Sequence, residues 1–179
     1  MKVLLDEGQI REGIRRMAGE IRQHYGQRPL TVVGVLIGSV VLLADLIRLL
    51  DLPMRVSLVQ AREPQGSRTR PGPMVLNLDL LAEDIRGRHV LLVDDIFDTG
   101  KTLWELVPQL DELGPESVNA AVLLRKQGRR EVGADPRFVA FDIPDVFVVG
   151  YGLGCNDRYR SLPHLAQLEP DELTREFGA

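Results

Sequence analysis

The chain is poor in the residues that mark disulfide-bonded, nucleic-acid-binding and membrane proteins. Its 179 residues include one cysteine, Cys155, which excludes a disulfide within the chain and fits a reducing compartment. Basic residues number 22 against 26 acidic ones, and the net charge of −4 argues against a general nucleic-acid-binding protein. No apolar run is long enough for a transmembrane helix, and the N-terminus turns acidic too soon for a secretory signal. These absences predict a cytoplasmic protein that binds neither nucleic acid nor a membrane.

One stretch, residues 90–103, combines an aliphatic run, three carboxylates and a glycine. It opens with the aliphatic residues Val90 to Val93, which are typical of a strand buried on both faces of a parallel sheet. Three of the next five residues, Asp94 to Asp98, are acidic. Apolar residues then recur at helical spacing, at Leu103, Leu106, Val107 and Leu110. The stretch therefore predicts a strand, an acidic turn and the N-terminus of a helix.

The predicted helix N-terminus has the chemistry of a phosphate-binding site, because its first N–H groups lack helical partners and the helix dipole favours an anion. Gly100 lets the backbone approach a ligand, and Lys101 adds a positive charge. Thr99 and Thr102 offer hydroxyl groups. The preceding carboxylates suit sugar hydroxyls and a divalent cation such as Mg²⁺. A Walker A loop is excluded, because Asp95 stands where that loop requires glycine. A simple helix cap at an acidic strand end stays open as an alternative.

The segment Asp94–Thr102, with the sequence DDIFDTGKT, resembles the phosphoribosyl pyrophosphate (PRPP) signature of type I phosphoribosyltransferases. The resemblance implies that Asp94 and Asp95 hold the ribose hydroxyls and Mg²⁺. It also implies that residues 99–102 bind the 5′-phosphate of PRPP. Asp98 would be the general base that takes a proton from nitrogen seven of a purine.

A second resemblance lies in the C-terminal region. The runs Phe141–Leu153 and Tyr159–Pro163 are similar to the hood of the hypoxanthine-guanine branch of that family. This similarity implies that Phe147 stacks on the purine ring and that Val148 binds the purine edge through its backbone. It further implies that Lys126 donates a hydrogen bond to the 6-oxo group, which selects against adenine.

The turn around residues 36–39 resembles the pyrophosphate-binding loop of the same branch, in which a non-proline peptide bond is cis. The residues that match are Leu36, Gly38, Ser39, Ala44, Asp45 and Leu46. The resemblance implies that Gly38 and Ser39 bind pyrophosphate together with Arg160.

Three positions depart from the family pattern, and all three belong to its pyrophosphate and metal side. Ile37 stands where lysine is usual. Pro64-Gln65 replaces a Ser-Tyr dipeptide in a predicted lid over residues 62–73. Gly154 replaces the aspartate that binds the magnesium on PRPP.

The order of elements predicts an α/β fold with a mostly parallel twisted sheet flanked by helices, as one domain over residues 1–179. The predicted helices include Asp6–Tyr25 and Val40–Leu50. The predicted strands include Thr31–Leu36, Val56–Ala61, Met74–Leu81, Val118–Leu124, Phe138–Phe141 and Val146–Tyr151. A small hood is expected over about residues 141–168, and the basic run Arg125–Arg130 is interpreted as a solvated loop.

These patterns together predict a purine salvage enzyme that uses PRPP, Mg²⁺ and hypoxanthine or guanine, and the resemblance implies a homodimer or homotetramer. The altered residues on the pyrophosphate side leave open a different class of protein, a regulatory protein that binds PRPP or a nucleotide with little turnover. A phosphoribosyltransferase for another base is a further alternative.

Overall fold

The computed structural model describes residues 1–60, 78–129, 131–133 and 135–177, without the side chains of residues 78–80. The predicted lid, residues 62–73, lies outside these ranges. Among the described residues, no helix is both long and apolar enough to cross a membrane.

The centre of the fold is a five-stranded parallel sheet with the strand order β3-β2-β4-β5-β6. Its strands are β2 (Leu30–Leu36), β3 (Met54–Gln60), β4 (His89–Phe97), β5 (Ser117–Lys126) and β6 (Phe138–Ile143). The helices that accompany them are α1 (Glu7–Tyr25), α2 (Val40–Leu50), α3 (Leu78–Ile85) and α4 (Lys101–Asp111). The predicted α/β class and parallel sheet are confirmed.

Side chains along each strand point alternately to the two faces of this sheet, so a hydrophobic core lies on each face. On β4, Leu91 and Val93 pack in the core that contains α1 and α2, whereas Val90 and Leu92 pack in the core that contains α3 and α4. All four side chains are fully buried. This burial on both faces is why the aliphatic run carries no polar residue before Asp94.

A second, three-stranded sheet forms the hood, with the order β1-β8-β7 and antiparallel pairing. Its strands are β1 (Lys2–Leu5), β7 (Val148–Val149) and β8 (Leu165–Gln167), and helix α5 (Pro170–Phe177) follows them. The predicted hood boundaries therefore need correction: residues 141–143 belong to β6 of the main sheet, whereas the N-terminal strand β1 belongs to the hood.

Three predicted elements differ from the structure. Residues 78–81 were expected in a strand but lie in helix α3, where Leu81 and Ile85 are four residues apart and both buried. The expected strand over residues 146–151 is reduced to β7, because Gly150 and Tyr151 have positive φ values of 100° and 48°. The expected acidic turn is largely strand, since β4 continues through Asp94 and Asp95 to Phe97.

Candidate active site

The candidate site is a cleft of 410 Å³ at the carboxyl ends of β2 and β4, where ligands of open parallel sheets usually bind. Its wall combines the turn after β2, the acidic end of β4, the start of α4 and part of the hood. The predicted site residues in this wall are Gly38, Asp94, Asp95, Asp98, Thr99, Gly100, Lys101, Thr102 and Arg160. The folding of distant segments thus brings most of the predicted residues together.

The two acidic residues of β4 face the cleft from a largely desolvated position. Burial, followed by the charge of Asp95, raises the pKa of Asp94 well above its usual range. Burial also raises the pKa of Asp95, although its hydrogen bonds and the charge of Arg160 act in the opposite direction. Asp94 Oδ1 accepts from the Asp95 N–H at 2.9 Å, and Asp95 Oδ1 accepts from the Ile96 N–H at 2.7 Å. Two hard, desolvated carboxylates are a donor set that fits a magnesium ion, which would stabilise their ionised forms.

The turn after β2 packs directly against Asp95. The Leu36–Ile37 peptide bond is cis, as the resemblance implied, and Ile37 is exposed. A Cβ atom on Gly38 would lie 1.5 Å from Asp95 Oδ2, so any larger residue would displace this carboxylate. Ser39 is fully buried and its hydroxyl donates to the carbonyl oxygen of Val35 at 2.5 Å. The Ser39 side chain is therefore turned away from the cleft, and only its backbone could bind pyrophosphate.

The start of α4 is built around Gly100, whose φ of 87° favours glycine. A Cβ atom there would lie 2.8 Å from Val132 Cγ2, so the loop after β5 also requires a small residue at this point. That loop is bonded to the turn, because the Glu131 N–H donates to the Thr99 carbonyl oxygen at 3.0 Å. Lys101 Nζ lies 2.7 Å from Glu131 Oε2 in an exposed ion pair. Residues 99–102 line this end of the cleft, and the Lys101 N–H donates to Thr99 Oγ1 at 3.4 Å.

Gly154 and Arg160 share one corner of the cleft. Arg160 Nη1 donates to the Gly152 carbonyl oxygen at 2.7 Å. A Cβ atom on Gly154 would lie 2.8 Å from Arg160 Cγ and 2.9 Å from its Nε and Cζ. Gly154 does not have a positive φ, so conformational freedom is not the reason for glycine. The arginine side chain occupies the space that a side chain at position 154 would take.

A cluster of four charged residues, which we call the ion quartet, joins the end of β4 to the end of β5. It consists of Asp98, Lys126, Arg129 and Asp145. Lys126 Nζ lies 3.3 Å from Asp98 Oδ2, and Arg129 Nε lies 2.9 Å from Asp98 Oδ1. Lys126 is the most buried of the four, with 11% of its side chain exposed. The predicted base and the predicted purine-selecting lysine are therefore in direct contact.

Phe147 and Val148 lie in the hood rather than in the wall of the cleft. Val148 is buried and pairs with Gln167 of β8, which leaves β7 as the edge strand of the three-stranded sheet. The Phe147 ring packs edge-on against Phe177 of α5, with ring centroids 5.4 Å apart. The C-terminal helix is anchored nearby, where the Tyr159 hydroxyl donates to Glu176 Oε1 at 2.7 Å.

Arg129 and Asp145 were not predicted as site residues. One signal for Arg129 was available in the sequence, because Gly128 separates it from Lys126. Gly128 has a positive φ of 77°, and Arg129 Nε then lies 2.9 Å from Asp98 Oδ1. Asp145 follows Pro144 in the hood motif, and no residue beside it in the sequence indicates that its carboxylate contacts Lys126.

Comparison with known proteins identifies the family. The family model for the phosphoribosyl transferase domain matches residues 2–155. A hypoxanthine-guanine phosphoribosyltransferase from Dictyostelium discoideum is 36% identical over 173 residues, which cover 95% of this chain and 96% of that protein. The protein of the same name from Aquifex aeolicus is 38% identical over 170 residues, with 94% and 95% covered. The chain belongs to the phosphoribosyltransferase family.

Solved structures agree with this assignment. A crystal structure of a hypoxanthine phosphoribosyltransferase from Staphylococcus aureus matches this fold with a TM-score of 0.87 and 30% sequence identity. The match covers 96% of this chain and 92% of that one.

Proposed function

We propose that this protein transfers the phosphoribosyl group of PRPP to hypoxanthine or guanine and releases pyrophosphate. The observation that carries the proposal is the contact between Lys126 and Asp98 where β4 gives way to α4. A single purine could reach both side chains, with Lys126 as the donor to its 6-oxo group and Asp98 as the base for its proton. The names of the relatives, which match nearly the full length of the chain, support the same substrates.

In the proposed reaction, nitrogen nine of the purine attacks carbon one of the ribose. The new C–N bond forms as the bond from that carbon to the pyrophosphate oxygen breaks, and the leaving group takes the electron pair. Asp98 accepts the proton from nitrogen seven, so the nucleotide product is left neutral at the base. The main work of the protein is to hold the two reactants in line, which can supply about 7–11 kcal/mol of the barrier.

The cleft offers separate subsites for the two ends of PRPP. The N–H groups at the start of α4, after Gly100, would bind the 5′-phosphate. Asp94 and Asp95 would hold the ribose hydroxyls and a magnesium ion, which when bound neutralises negative charge on the pyrophosphate. Gly38 and Arg160 would bind the departing pyrophosphate by backbone N–H groups and by a guanidinium, respectively.

The purine would lie between the ion quartet and the hood. Lys126 would donate to the 6-oxo oxygen, a bond that the amino group of adenine cannot accept. Val148 is on an edge strand, so backbone groups of β7 are suited to bind the edge of the base. Phe147 would stack on the ring, with Phe177 supporting its orientation from α5.

The test is a steady-state assay of the purified protein with PRPP, Mg²⁺ and each of four bases: hypoxanthine, guanine, xanthine and adenine. We expect pyrophosphate release and nucleoside monophosphate formation with hypoxanthine or guanine, and none with adenine. Tight PRPP binding without release of pyrophosphate for any base would favour the regulatory alternative instead.

A further inference from the structure

The ion quartet contains two residues, Arg129 and Asp145, that the proposed reaction does not use, and of these Arg129 contacts the proposed base Asp98. We propose that Arg129 is a positioning residue for the transfer step. It keeps the carboxylate of Asp98 oriented for proton transfer after Lys126 has turned to the 6-oxo group of the purine. This inference rests on the proposed function, because it concerns the base of that same reaction.

Each carboxylate of the quartet is held by both cations. Lys126 Nζ lies 3.3 Å from Asp98 Oδ2 and 3.4 Å from Asp145 Oδ1. Arg129 reaches the other oxygen of each, with Nε 2.9 Å from Asp98 Oδ1 and Nη1 3.5 Å from Asp145 Oδ2. The two negative and two positive charges cancel, so one cation can leave Asp98 while each carboxylate keeps a cationic partner.

The two cations hold Asp98 unequally. Charge-assisted N–H···O bonds are typically about 2.7–2.9 Å long, and both contacts of Lys126 exceed that range whereas the Nε contact of Arg129 lies within it. The lysine ammonium is a compact charge on a flexible stem, but the arginine guanidinium is planar and preorganised for a carboxylate. When a 6-oxopurine binds, Lys126 would therefore move to its 6-oxo oxygen, and Arg129 would stay bonded to Asp98.

This change of hydrogen-bond partner prepares Asp98 to act as the general base. Once Lys126 donates to the purine, Asp98 Oδ2 can accept the proton of nitrogen seven, while Oδ1 remains bonded to Arg129. Arg129 thus acts as the third group that orients a catalytic base. After the proton has moved, Asp98 is neutral and Asp145 remains as the counter-charge of Arg129. Glu131 also acts electrostatically on the Arg129 guanidinium.

A double-mutant cycle tests the proposal through kcat and both KM values with hypoxanthine and PRPP. Arg129→Ala should lower kcat by roughly 10- to 100-fold, because a misplaced catalytic group costs up to that much. Both KM values should stay within about threefold, because Arg129 would touch neither substrate. In an Asp98→Asn background, adding Arg129→Ala should change kcat by less than about twofold, since no carboxylate base is left to orient. Arg129→Lys should restore part of the lost kcat.

Arg125→Ala is the matched control. Arg125 also binds a carboxylate, with Nε 2.7 Å from Asp142 Oδ1, but it precedes Lys126 on β5 and so points to the opposite face of the sheet. Its removal should leave kcat within about twofold of the wild type. Equal losses from Arg129→Ala in both backgrounds, or a loss expressed in the KM for PRPP, would overturn the role of Arg129 and leave the transferase function intact. A wild-type protein without turnover would overturn both.

Discussion

The tight contact between Gly38 and Asp95 makes Gly38→Ala a sharp test of how the cleft is assembled. An added Cβ atom would lie 1.5 Å from Asp95 Oδ2 and 2.6 Å from its Cγ, so the carboxylate must rotate away. Rotation would also break the bond in which Asp95 Oδ1 accepts from the Ile96 N–H at 2.7 Å. The substitution should therefore damage both stability and the proposed ribose and magnesium subsite.

The expected cost follows from these two losses. Overpacking costs about 1–3 kcal/mol and a lost hydrogen bond about 0.5–1.5 kcal/mol, so the free energy of unfolding should fall by about 1.5–4.5 kcal/mol. For a chain of this size, each kcal/mol shifts Tm by about 2–4 °C, which gives a decrease of roughly 3–18 °C. PRPP binding should weaken as well, because the displaced carboxylate belongs to its subsite.

Thermal melts and PRPP titrations of four variants, Gly38→Ala, Gly19→Ala, Asp95→Ala and Gly38→Ala/Asp95→Ala, test whether this contact is the cause. Gly19→Ala is the control, because nothing lies within 4 Å of its added Cβ and alanine favours the middle of helix α1. It should raise Tm slightly and leave PRPP binding unchanged. In an Asp95→Ala background, Gly38→Ala should cost little stability, because the clashing atoms are gone. A full loss of stability in that background would refute the contact as the cause.

Four further substitutions test other parts of the site. Asp98→Asn should lower kcat by roughly 10²–10⁴-fold with little change in PRPP affinity, measured by steady-state kinetics and titration. Lys126→Ala should weaken the use of hypoxanthine and guanine far more than PRPP binding, because a buried polar partner is lost. Gly154→Asp should fold, as judged by its melt, but bind pyrophosphate more weakly in product-inhibition assays, because the new carboxylate would pair with and displace Arg160. Glu176→Gln should lower stability at neutral pH. The hydrogen bond from the Tyr159 hydroxyl lowers the pKa of Glu176, so its contribution is present above the ordinary glutamate pKa of about 4.3 and is lost as the pH falls below it.

Each of these expectations has a contradicting result. An unchanged kcat in Asp98→Asn would remove Asp98 from the proton transfer and leave it only as a partner of Lys126 and Arg129 in the ion quartet. Equal losses of base and PRPP use in Lys126→Ala would indicate a general structural role. Unaltered pyrophosphate inhibition in Gly154→Asp would mean that Arg160 does not bind the leaving group. A stability difference for Glu176→Gln that grows towards low pH would contradict the direction of the pKa shift.

The sequence predicted the parts of the site that lie within one continuous stretch. The aliphatic run before Asp94, the glycine at position 100 and the helical spacing after it are local signals, and β4 and α4 follow them. The parallel sheet was predictable for the same reason, because β2 and β4 are each a short apolar run followed by a turn and a helix. Asp94 and Asp95 were placed in a turn, since acidic residues rarely continue a buried strand unless a site needs them.

The parts that could not be predicted depend on contacts between distant segments. Nothing local in Lys2–Leu5 shows that it pairs with β8 at the other end of the chain. The contact of Arg129 with Asp98 spans 31 residues and depends on the positive φ of Gly128. The covering of Phe147 by Phe177 likewise depends on where α5 packs, which no periodicity within α5 determines.

The most direct test of the proposed transferase site is a crystal structure of the protein with inosine or guanosine monophosphate bound. We expect the 5′-phosphate at the N–H groups of residues 99–102 and the 6-oxo oxygen about 2.7–3.2 Å from Lys126 Nζ. We also expect Arg129 to remain bonded to Asp98 in that complex. A phosphate bound elsewhere, or a base whose 6-oxo group faces away from Lys126, would contradict the proposed 6-oxopurine phosphoribosyltransferase site.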